Sequence, residues 1–456
     1  MSYEALIDRA EAEHKSRGAR AAAPLWQRAI IERPDDWRAL YGLGSAYAET
    51  ESDDAAAIAL LTRAVESSAG APEAYTALGS VMRRCQHAEM ARWCYEEALN
   101  KSPDFPQAVL GMAGSYVNQG NPEKGIPWAR KALELPGDAM FRSHVENDLA
   151  LLLLEAGQWV EGWKYYSRRF NLPHYHVRDF GNIPQWTGEK VGALALHAEQ
   201  GLGDEIMFAS CLNEAMVQTD RVLCEVAPRL ITLFQRSFPG VLFFGTPQEL
   251  NGCGVKPDAW GRLADLLGMY RNVPSDCPGT AYITPDPAKV ASYRARLEAS
   301  GPGPYVGFAW LGGTAKTHEK VRRAPLDYWK RLIDRTPGTK VSLQYGEDGA
   351  WHATEKFRLL HWQAAIDDMD EFAALIAALD LSITSPQTAT HFAGAMGREC
   401  WVPCPEKVSW CFRNGGERMP FYKSVRLFWQ ENADWRPVFD KMEAAIADFG
   451  RIQSAA

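Results

Sequence analysis

The stretch His197-Ala-Glu-Gln-Gly-Leu-Gly-Asp-Glu-Ile206 decides the fold of the chain beyond residue 190. The apolar run Gly192–Leu196 before it predicts a buried strand, and the amphipathic run Asp204–Met216 after it predicts a helix. Gly201 and Gly203 therefore lie in a strand-to-helix turn. Glycine there permits a positive φ and a close approach of a ligand to the backbone.

The first turn of this helix predicts an anion site, because free N–H groups and the positive end of the helix dipole attract negative groups. Asp204 is the natural N-cap, and a catalytic base is its alternative role. Ile206 stands where a dinucleotide fingerprint has its third glycine, and no Gly-Lys-Ser/Thr sequence follows. Nicotinamide binding and P-loop ATP hydrolysis are therefore disfavoured.

The first 170 residues carry a repeat with a period of about 34 residues. Small and aromatic residues recur at fixed offsets, as in Tyr75, Leu78, Gly79, Ala91 and Tyr95. The pattern resembles the tetratricopeptide repeat, in which helix pairs bury their apolar faces only by stacking into a superhelix. We expect about five helix pairs that bind a protein or peptide, with a rigid spacer or dimerisation arm as the alternative.

Beyond a Pro-containing linker, short apolar runs alternate with amphipathic ones, which predicts parallel sheets with crossover helices. Two successive Rossmann-like halves with a cleft between them follow, and ligands should bind outside the carboxyl ends of the strands. The predicted strands are 192–197, 221–226 and 241–245 in the first half, and 305–310, 340–344, 379–384, 399–402 and 425–428 in the second.

Two loops of the second half have compositions that suit a ligand. The loop after Trp310 combines two glycines, a hydroxyl group and four cations, which favours a phosphate, with a solvated basic loop as the alternative. The turn Ser385–Thr390 opens a helix whose N-terminus would also receive phosphate. His391 either holds this turn or contacts the ligand. Asp368-Met-Asp370 is interpreted as helix-capping acids in preference to metal ligands.

At these loops the sequence resembles bacterial tetratricopeptide-linked glycosyltransferases related to the ADP-heptose:lipopolysaccharide heptosyltransferases. The resemblance covers about residues 186–437 and implies the GT-B fold, with the nucleotide-sugar held mainly by the second half and no obligatory metal. The segments that carry it are Glu199–Phe208, the Trp310 loop, Val341–Gln344, Leu379–Gly397 and Arg426–Phe428.

The resemblance implies that Asp204 is the catalytic base, with Glu199 and His197 on the same loop in reserve. Relatives usually have Asp-Thr where this chain has Pro386-Gln387, which leaves the sugar, the nucleotide and even retained activity open. Loop composition and resemblance together give the candidate donor-binding residues Gly201, Gly203, Trp310, Gly312, Gly313, Lys316, Lys320, Arg323, Gln344, Gln387, Thr388, Ala389 and His391.

The leading hypothesis is an inverting, metal-independent GT-B glycosyltransferase that moves a sugar from a nucleotide-sugar to a protein hydroxyl group. Related repeat-linked enzymes modify flagellin, some with a nonulosonic acid. The alternatives are a lipopolysaccharide or capsule glycan acceptor, and a non-catalytic repeat scaffold. The expected parts are a superhelix at 1–170, a linker at 171–190, an acceptor-side half at 191–285, a donor-side half at 286–437 and a C-terminal helix and tail at 438–456.

Composition limits the cellular context. A net charge of −8 argues against a general nucleic-acid binder. The N-terminus lacks a basic and apolar leader, and no apolar run reaches the length of about 18 residues that a membrane span needs. Nine cysteines without a disulfide framework suit a reducing compartment. We therefore expect a cytoplasmic protein. The resemblance implies that its partners are a protein acceptor and the nucleotide-sugar substrate, without a cofactor.

Overall fold

A computed structural model describes residues 2–172, 180–312, 323–346, 349, 351–412 and 416–455, with side chains up to residue 450. The chain divides into two compact units. The first comprises Met1–Leu153 and Arg168–Tyr175, and the second comprises Leu154–Ser167 and His176–Ala456. Among the described residues, no helix is long and apolar enough to cross a membrane.

The first unit is a tetratricopeptide-like solenoid, in which consecutive helices pack in pairs. Asp36 and Asp53 cap helices through backbone N–H groups, and Pro72, Pro106 and Pro122 stand at helix starts. The helices are α1 Tyr3–Arg17, α2 Ala19–Glu32, α3 Trp37–Thr50, α4 Asp54–Ser67, α5 Pro72–Arg84, α6 Ala88–Lys101, α7 Pro106–Gly114, α8 Pro122–Glu134 and α9 Ala139–Glu155.

The recurring small residues of the repeat make room for aromatic rings. A Cβ placed on Gly79 would lie 2.7 Å from the ring of Tyr95, and one on Gly111 would lie 2.3 Å from it. In the preceding pair, a Cβ on Gly42 would lie 2.4 Å from the indole of Trp26. Since Gly79 and Tyr95 both lie at repeat offsets, those offsets correspond to packing between successive helices.

Helix α10, Trp159–Tyr166, lies within the superhelix expected at 1–170 but is grouped with the second unit in the structure. It belongs to the second unit because its aromatic side chains pack there. The ring of Trp159 stacks on Phe421 with centroids 5.6 Å apart, and Trp163 Nε1 donates to the carbonyl of Arg271 at 2.7 Å.

The second unit holds two sheets. Within residues 180–312, four parallel strands have the order β3-β2-β1-β4, which is the strand order of a Rossmann half. The predicted helix 204–216 is interrupted by a 3-10 turn at Ala209–Cys211. The elements are β1 Val191–His197, α11 Leu202–Phe208, α12 Leu212–Val217, β2 Thr219–Glu225, α13 Ile231–Ser237, β3 Val241–Phe244, α14 Pro247–Gly252, β4 Ala259–Arg262 and α15 Asp265–Tyr270.

In the second sheet, the described strands have the order β6-β5-β7-β8-β10-β9, parallel except for β9 against β10. Its strand order reverses between β5 and β7, where such sheets bind ligands. The elements are α16 Pro287–Ser300, β5 Tyr305–Ala309, α17 Leu326–Arg335, β6 Thr339–Ser342, α18 Gln363–Asp367, α19 Met369–Ala378, β7 Leu381–Thr384, α20 Thr388–Ala395, β8 Cys400–Cys404, β9 Arg418–Met419, β10 Tyr422–Trp429 and α21 Arg436–Ala455.

A buried carboxylate ties the two sheets of this unit together. Arg236 of α13 donates to both oxygens of Asp370 at 2.6 and 3.0 Å, and Lys289 of α16 lies 2.8 Å from the same group. Asp368 caps α19 through the N–H groups of Asp370 and Glu371 at 2.8 and 3.0 Å. The Asp-x-Asp pair thus consists of one helix cap and one ion-pair partner.

Candidate functional site

The turn after β1 differs in two details from the prediction. Gly201 is the N-cap of α11 with φ −99°, and Asp204 is the third helical residue. Asp204 Oδ2 accepts from the Gly201 N–H at 3.3 Å, the bond that an acid at the third helical position makes back to the N-cap in a capping box. The residue with a positive φ is Gln200, at 70°, and neither glycine of the turn. Asp204 itself is half-buried.

Helix α10 accepts a hydrogen bond from Gln200, the residue of this turn with a positive φ. The side-chain Nε2 of Gln200 donates to the hydroxyl oxygen of Tyr166 at 2.9 Å. A left-handed backbone at a residue with a side chain costs free energy and persists where neighbouring contacts fix it. The backbone of the Gly201 turn is therefore positioned in part by the last aromatic residue of α10.

Acidic side chains lie around His197 and Glu199 at the carboxyl edge of the first sheet. His197 Nδ1 lies 3.6 Å from Glu225 Oε2, and Glu205 Oε2 accepts from the Ala227 N–H at 2.9 Å. Burial raises the pKa of Glu205 to about 7, against the effect of the Ala227 N–H, and the charges of neighbouring acids raise it further. Glu199 is half-buried in the same turn. Sequence reasoning missed Glu205, although its place beside Asp204 on the apolar side of the helix was a signal.

In the second sheet, the turns after β5 and β7 lie against each other, since these strands are neighbours. A Cβ placed on Gly312 would lie 2.6 Å from Gln387 Cβ and 2.9 Å from the carbonyl oxygen of Pro386. The close approach requires glycine at position 312. Gly313, Lys316 and Lys320 of the same predicted loop lie outside the described residues. Arg323, also predicted to bind the donor, is exposed.

Two predicted donor-binding residues lie behind this loop. Trp310 is fully buried, with its ring edge-on to Phe357 at 4.7 Å. Gln344 Oε1 accepts from the N–H groups of Trp310 and Leu311 at 2.9 and 2.8 Å, and its Nε2 donates to the carbonyl of Leu311 at 3.1 Å. Both side chains thus shape the loop from within, and their expected contact with a donor stays a prediction.

The helix start after β7 is enclosed. Gln387 is the N-cap of α20 and is 7% exposed, and its Oε1 has no hydrogen-bond partner among the described residues. Thr390 Oγ1 lies 2.7 Å from Thr384 Oγ1. Thr388 is half-buried and Ala389 is buried. The first turn of α20 therefore keeps its side-chain polar groups inside the protein.

The glycine turn of the first sheet meets the helix start of the second. A Cβ placed on Gly203 would lie 2.9 Å from Cδ2 of His391, which is 6% exposed. His391 Nδ1 lies 3.2 Å from the hydroxyl of Tyr422. The structure thus brings Gly203 and His391 together. Among the described residues, no group of three or more His, Cys, Asp or Glu side chains could hold a metal ion.

The repeat unit carries a polar cluster of its own. A Cβ placed on Gly114 would lie 2.7 Å from Asp148 Oδ2 and 3.4 Å from Arg83 Nη1. Burial raises the pKa of Asp148 to about 6, and the nearby Arg83 guanidinium opposes that rise. Helices α5, α7 and α9 therefore contribute to one polar cluster, which is a candidate contact for a protein partner.

Comparison with known proteins gives three kinds of match. A family described as Tetratricopeptide repeat matches residues 7–72. Protein FlbA of Caulobacter vibrioides is 31% identical over 457 residues, covering 94% of this chain and 76% of that protein. The match to FlbA therefore extends over both units.

Two solved structures resemble part of the chain. The thermophilic TPR protein TTC0263 of Thermus thermophilus is 19% identical, covering 38% of this chain and 92% of its own, with a TM-score of 0.32. YrrB, a TPR protein with an unusual peptide-binding site, is 13% identical, covering 37% of this chain and 84% of its own, with a TM-score of 0.30.

Proposed function

This chain belongs to the family of Protein FlbA, and we propose that it is an inverting glycosyltransferase of the GT-B type. It moves a sugar from a nucleotide-sugar to a hydroxyl group of a protein, and the repeat unit recruits that protein. The transfer uses no cofactor beyond the nucleotide-sugar substrate. The resemblance of the Gly201 turn, the Trp310 loop and the Ser385 turn to such transferases supports the proposal.

The observation that carries the proposal is the contact between Gly203 and His391. This contact joins the start of α11, which follows β1, to the first turns of α20, which follows β7. Each of the two sheets has the strand order of a nucleotide-binding fold. Free N–H groups at helix starts favour phosphate, and a nucleotide-sugar offers phosphate and hydroxyl groups within one molecule. A ligand that extends between the two sheets fits this arrangement.

In the proposed reaction, the Asp204 carboxylate takes the proton of the acceptor hydroxyl group. The acceptor oxygen forms a bond to the anomeric carbon of the sugar, while the bond from that carbon to the phosphate oxygen breaks. The nucleotide leaves with the bonding electrons, and N–H groups at the start of α20 stabilise the developing charge. Asp204 suits the role of base because it is half-buried and directly follows Gly203, the residue that contacts His391.

The repeat unit supplies the acceptor in this account. Tetratricopeptide arrays present surfaces for proteins or peptides, and the Arg83–Asp148 cluster is the candidate contact. The resemblance to transferases that modify flagellin makes flagellin the first acceptor to test. A glycan acceptor would leave this cluster without a role.

A thermal-shift screen of the full-length protein with CMP-, UDP-, GDP- and ADP-sugars tests the proposal. A donor present at about 100 times its Kd stabilises the folded state by about 2.7 kcal/mol, which raises the melting temperature by several degrees. We expect one nucleotide class to do so in its sugar-linked form. If no nucleotide-sugar raises the melting temperature, the chain is a scaffold and the proposal is wrong.

A further inference from the structure

The turn that leads into α11 contains an exposed residue whose backbone favours glycine. Gln200 has a φ of 70°, in the left-handed region that side chains disfavour. Its side-chain Nε2 donates to the hydroxyl oxygen of Tyr166 at 2.9 Å, and Tyr166 is 5% exposed. Because Tyr166 is buried, this hydrogen bond connects the strained residue to a fixed part of the protein.

Helix α10, which carries Tyr166, is fixed by contacts with residues from both halves of the second unit. Trp163 Nε1 donates to the carbonyl oxygen of Arg271 at 2.7 Å. Trp159 of the same helix stacks on Phe421, with ring centroids 5.6 Å apart and ring planes at 19°. The ring of Tyr166 packs edge-on against Trp163 at 5.4 Å. The position of the Tyr166 hydroxyl therefore depends on packing against both halves.

The backbone of Gln200 determines the direction of one N–H group. The peptide unit that joins Gln200 to Gly201 is planar, so its N–H turns with the ψ angle of Gln200. This N–H donates to Asp204 Oδ2 at 3.3 Å. If Gln200 left the left-handed region, the N–H would turn away from Asp204. Two hydrogen bonds and one peptide unit thus connect Tyr166 to the Asp204 carboxylate.

We propose that Tyr166 is a positioning residue for Asp204. Tyr166 holds Gln200 in the left-handed conformation, and Gln200 in turn orients the Gly201 N–H that bonds to the Asp204 carboxylate. The role of this carboxylate as a base rests on the proposed function. A base must lie within hydrogen-bond reach of the proton that it takes, so a residue that fixes its place affects the rate without contact with the substrate.

Hydrogen exchange of the full-length protein, measured by mass spectrometry on peptides that cover residues 198–208, tests this connection without a ligand. Tyr166→Phe and Gln200→Ala each remove the hydrogen bond, and exchange should become faster by up to about ten-fold. Gln200→Gly removes the same bond but should accelerate exchange less than Gln200→Ala, because glycine adopts a positive φ readily. Tyr165→Phe, the same change at the neighbouring position of α10, is the matched control and should leave exchange unchanged.

Exchange that is as fast in Gln200→Gly as in Gln200→Ala would overturn the role of the left-handed backbone. A second comparison adds Tyr166→Phe to the Gln200→Gly chain, where we expect little further change. Acceleration as large as in the wild-type background would show that Tyr166 acts through its other contacts, and the route through Gln200 would be wrong.

The rate of transfer tests the effect on Asp204, with the nucleotide-sugar that the thermal-shift screen selects. Tyr166→Phe and Gln200→Ala should lower kcat by up to about ten-fold and leave the KM of the donor unchanged, with a smaller loss of kcat in Gln200→Gly. An unchanged kcat in Tyr166→Phe would overturn the positioning of Asp204. A wild-type chain without transfer activity would instead overturn the proposed function, and the exchange rates, which need no nucleotide-sugar, distinguish the two failures.

Discussion

The turn after β1 and the turn after β7 are both strand-to-helix turns in the same unit, yet their polar side chains differ in burial. In the first, Asp204 is half-buried, and one of its oxygens accepts from the Gly201 N–H at 3.3 Å. In the second, Gln387 and Thr390 are buried, and Thr390 bonds to a hydroxyl of the strand that it follows. A half-buried carboxylate can take a proton from an acceptor hydroxyl group, whereas buried polar side chains hold the backbone of their turn in place.

Because of this difference, we expect the two turns that meet at the contact between Gly203 and His391 to have separate roles. In the proposed transferase, the first side supplies the acid that changes protonation during transfer. The second side supplies preorganised backbone and the buried side chain of His391. Mutations in the first turn should therefore alter the rate, and mutations in the second should alter binding.

Asp204→Asn should produce the largest effect, a fall in transfer rate of about 10² to 10⁴-fold, because asparagine cannot accept the proton. The remaining carbonyl oxygen still accepts from Gly201, so the melting temperature should not change. Asp276→Asn is the matched control, since Asp276 accepts from the Val273 N–H at 3.1 Å in a similar helix-start contact. Full activity of Asp204→Asn in a rate assay would move the base to Glu199 or His197.

Glu205→Gln should stabilise the protein at alkaline pH. The pKa of Glu205 is raised from 4.5 to about 7 in the folded protein. Between these values the folded state holds a proton that the unfolded state has lost, so stability falls as the pH rises through this window. A shift of this size corresponds to roughly 3 kcal/mol at pH 8 and to almost nothing at pH 4, where both states are protonated. Denaturant unfolding of wild type and variant at the two pH values measures the difference.

Glu249→Gln is the control for that experiment. Glu249 accepts from the Gly245 N–H at 2.9 Å, like Glu205 from Ala227, but it is exposed. Its replacement by glutamine changes the same kind of hydrogen bond at an exposed site, where burial does not act on the carboxyl group. A Glu205→Gln variant that behaves in the same way would show that burial of Glu205 does not control its proton.

Gly203→Ala should destabilise the protein by about 1–3 kcal/mol, the usual cost of overpacking. The added methyl would lie 2.9 Å from His391 Cδ2, so α11 or the imidazole must move. Gly201→Ala in the same turn is the control, because its methyl would meet only Asp204 Oδ2 at 3.6 Å. Equal melting temperatures for the two variants would mean that the turns of the two sheets do not touch in solution.

The repeat helices and most strands could be predicted because their signals are local. Gly79 and Tyr95 recur at repeat offsets, and they pack on each other as those offsets require. Helix α10 was assigned to the array because Tyr166 also fits an offset, and the sequence does not reveal which surface an aromatic ring will meet. Strand β4 was missed because Ala259–Arg262 is short and ends in a charge.

Within the candidate site, the sequence located the turns but not the contacts between them. Gly203 was predicted for its backbone freedom, yet its role in the structure is to make room for His391. Glu205 looks like its neighbour Asp204 in the sequence, and only the fold shows that one is buried and the other half-exposed. Burial and long-range pairing depend on tertiary packing, which a local pattern does not encode.

Intact-mass spectrometry of acceptor proteins co-expressed with this chain, flagellin first, tests the central claim most directly. The account predicts that the acceptor gains the mass of one or more sugar residues with the wild-type chain and almost none with Asp204→Asn, while Asp276→Asn behaves like wild type. An equal gain with Asp204→Asn would contradict the assignment of the base. Acceptors of unchanged mass, together with no thermal response to any nucleotide-sugar, would contradict the transferase itself.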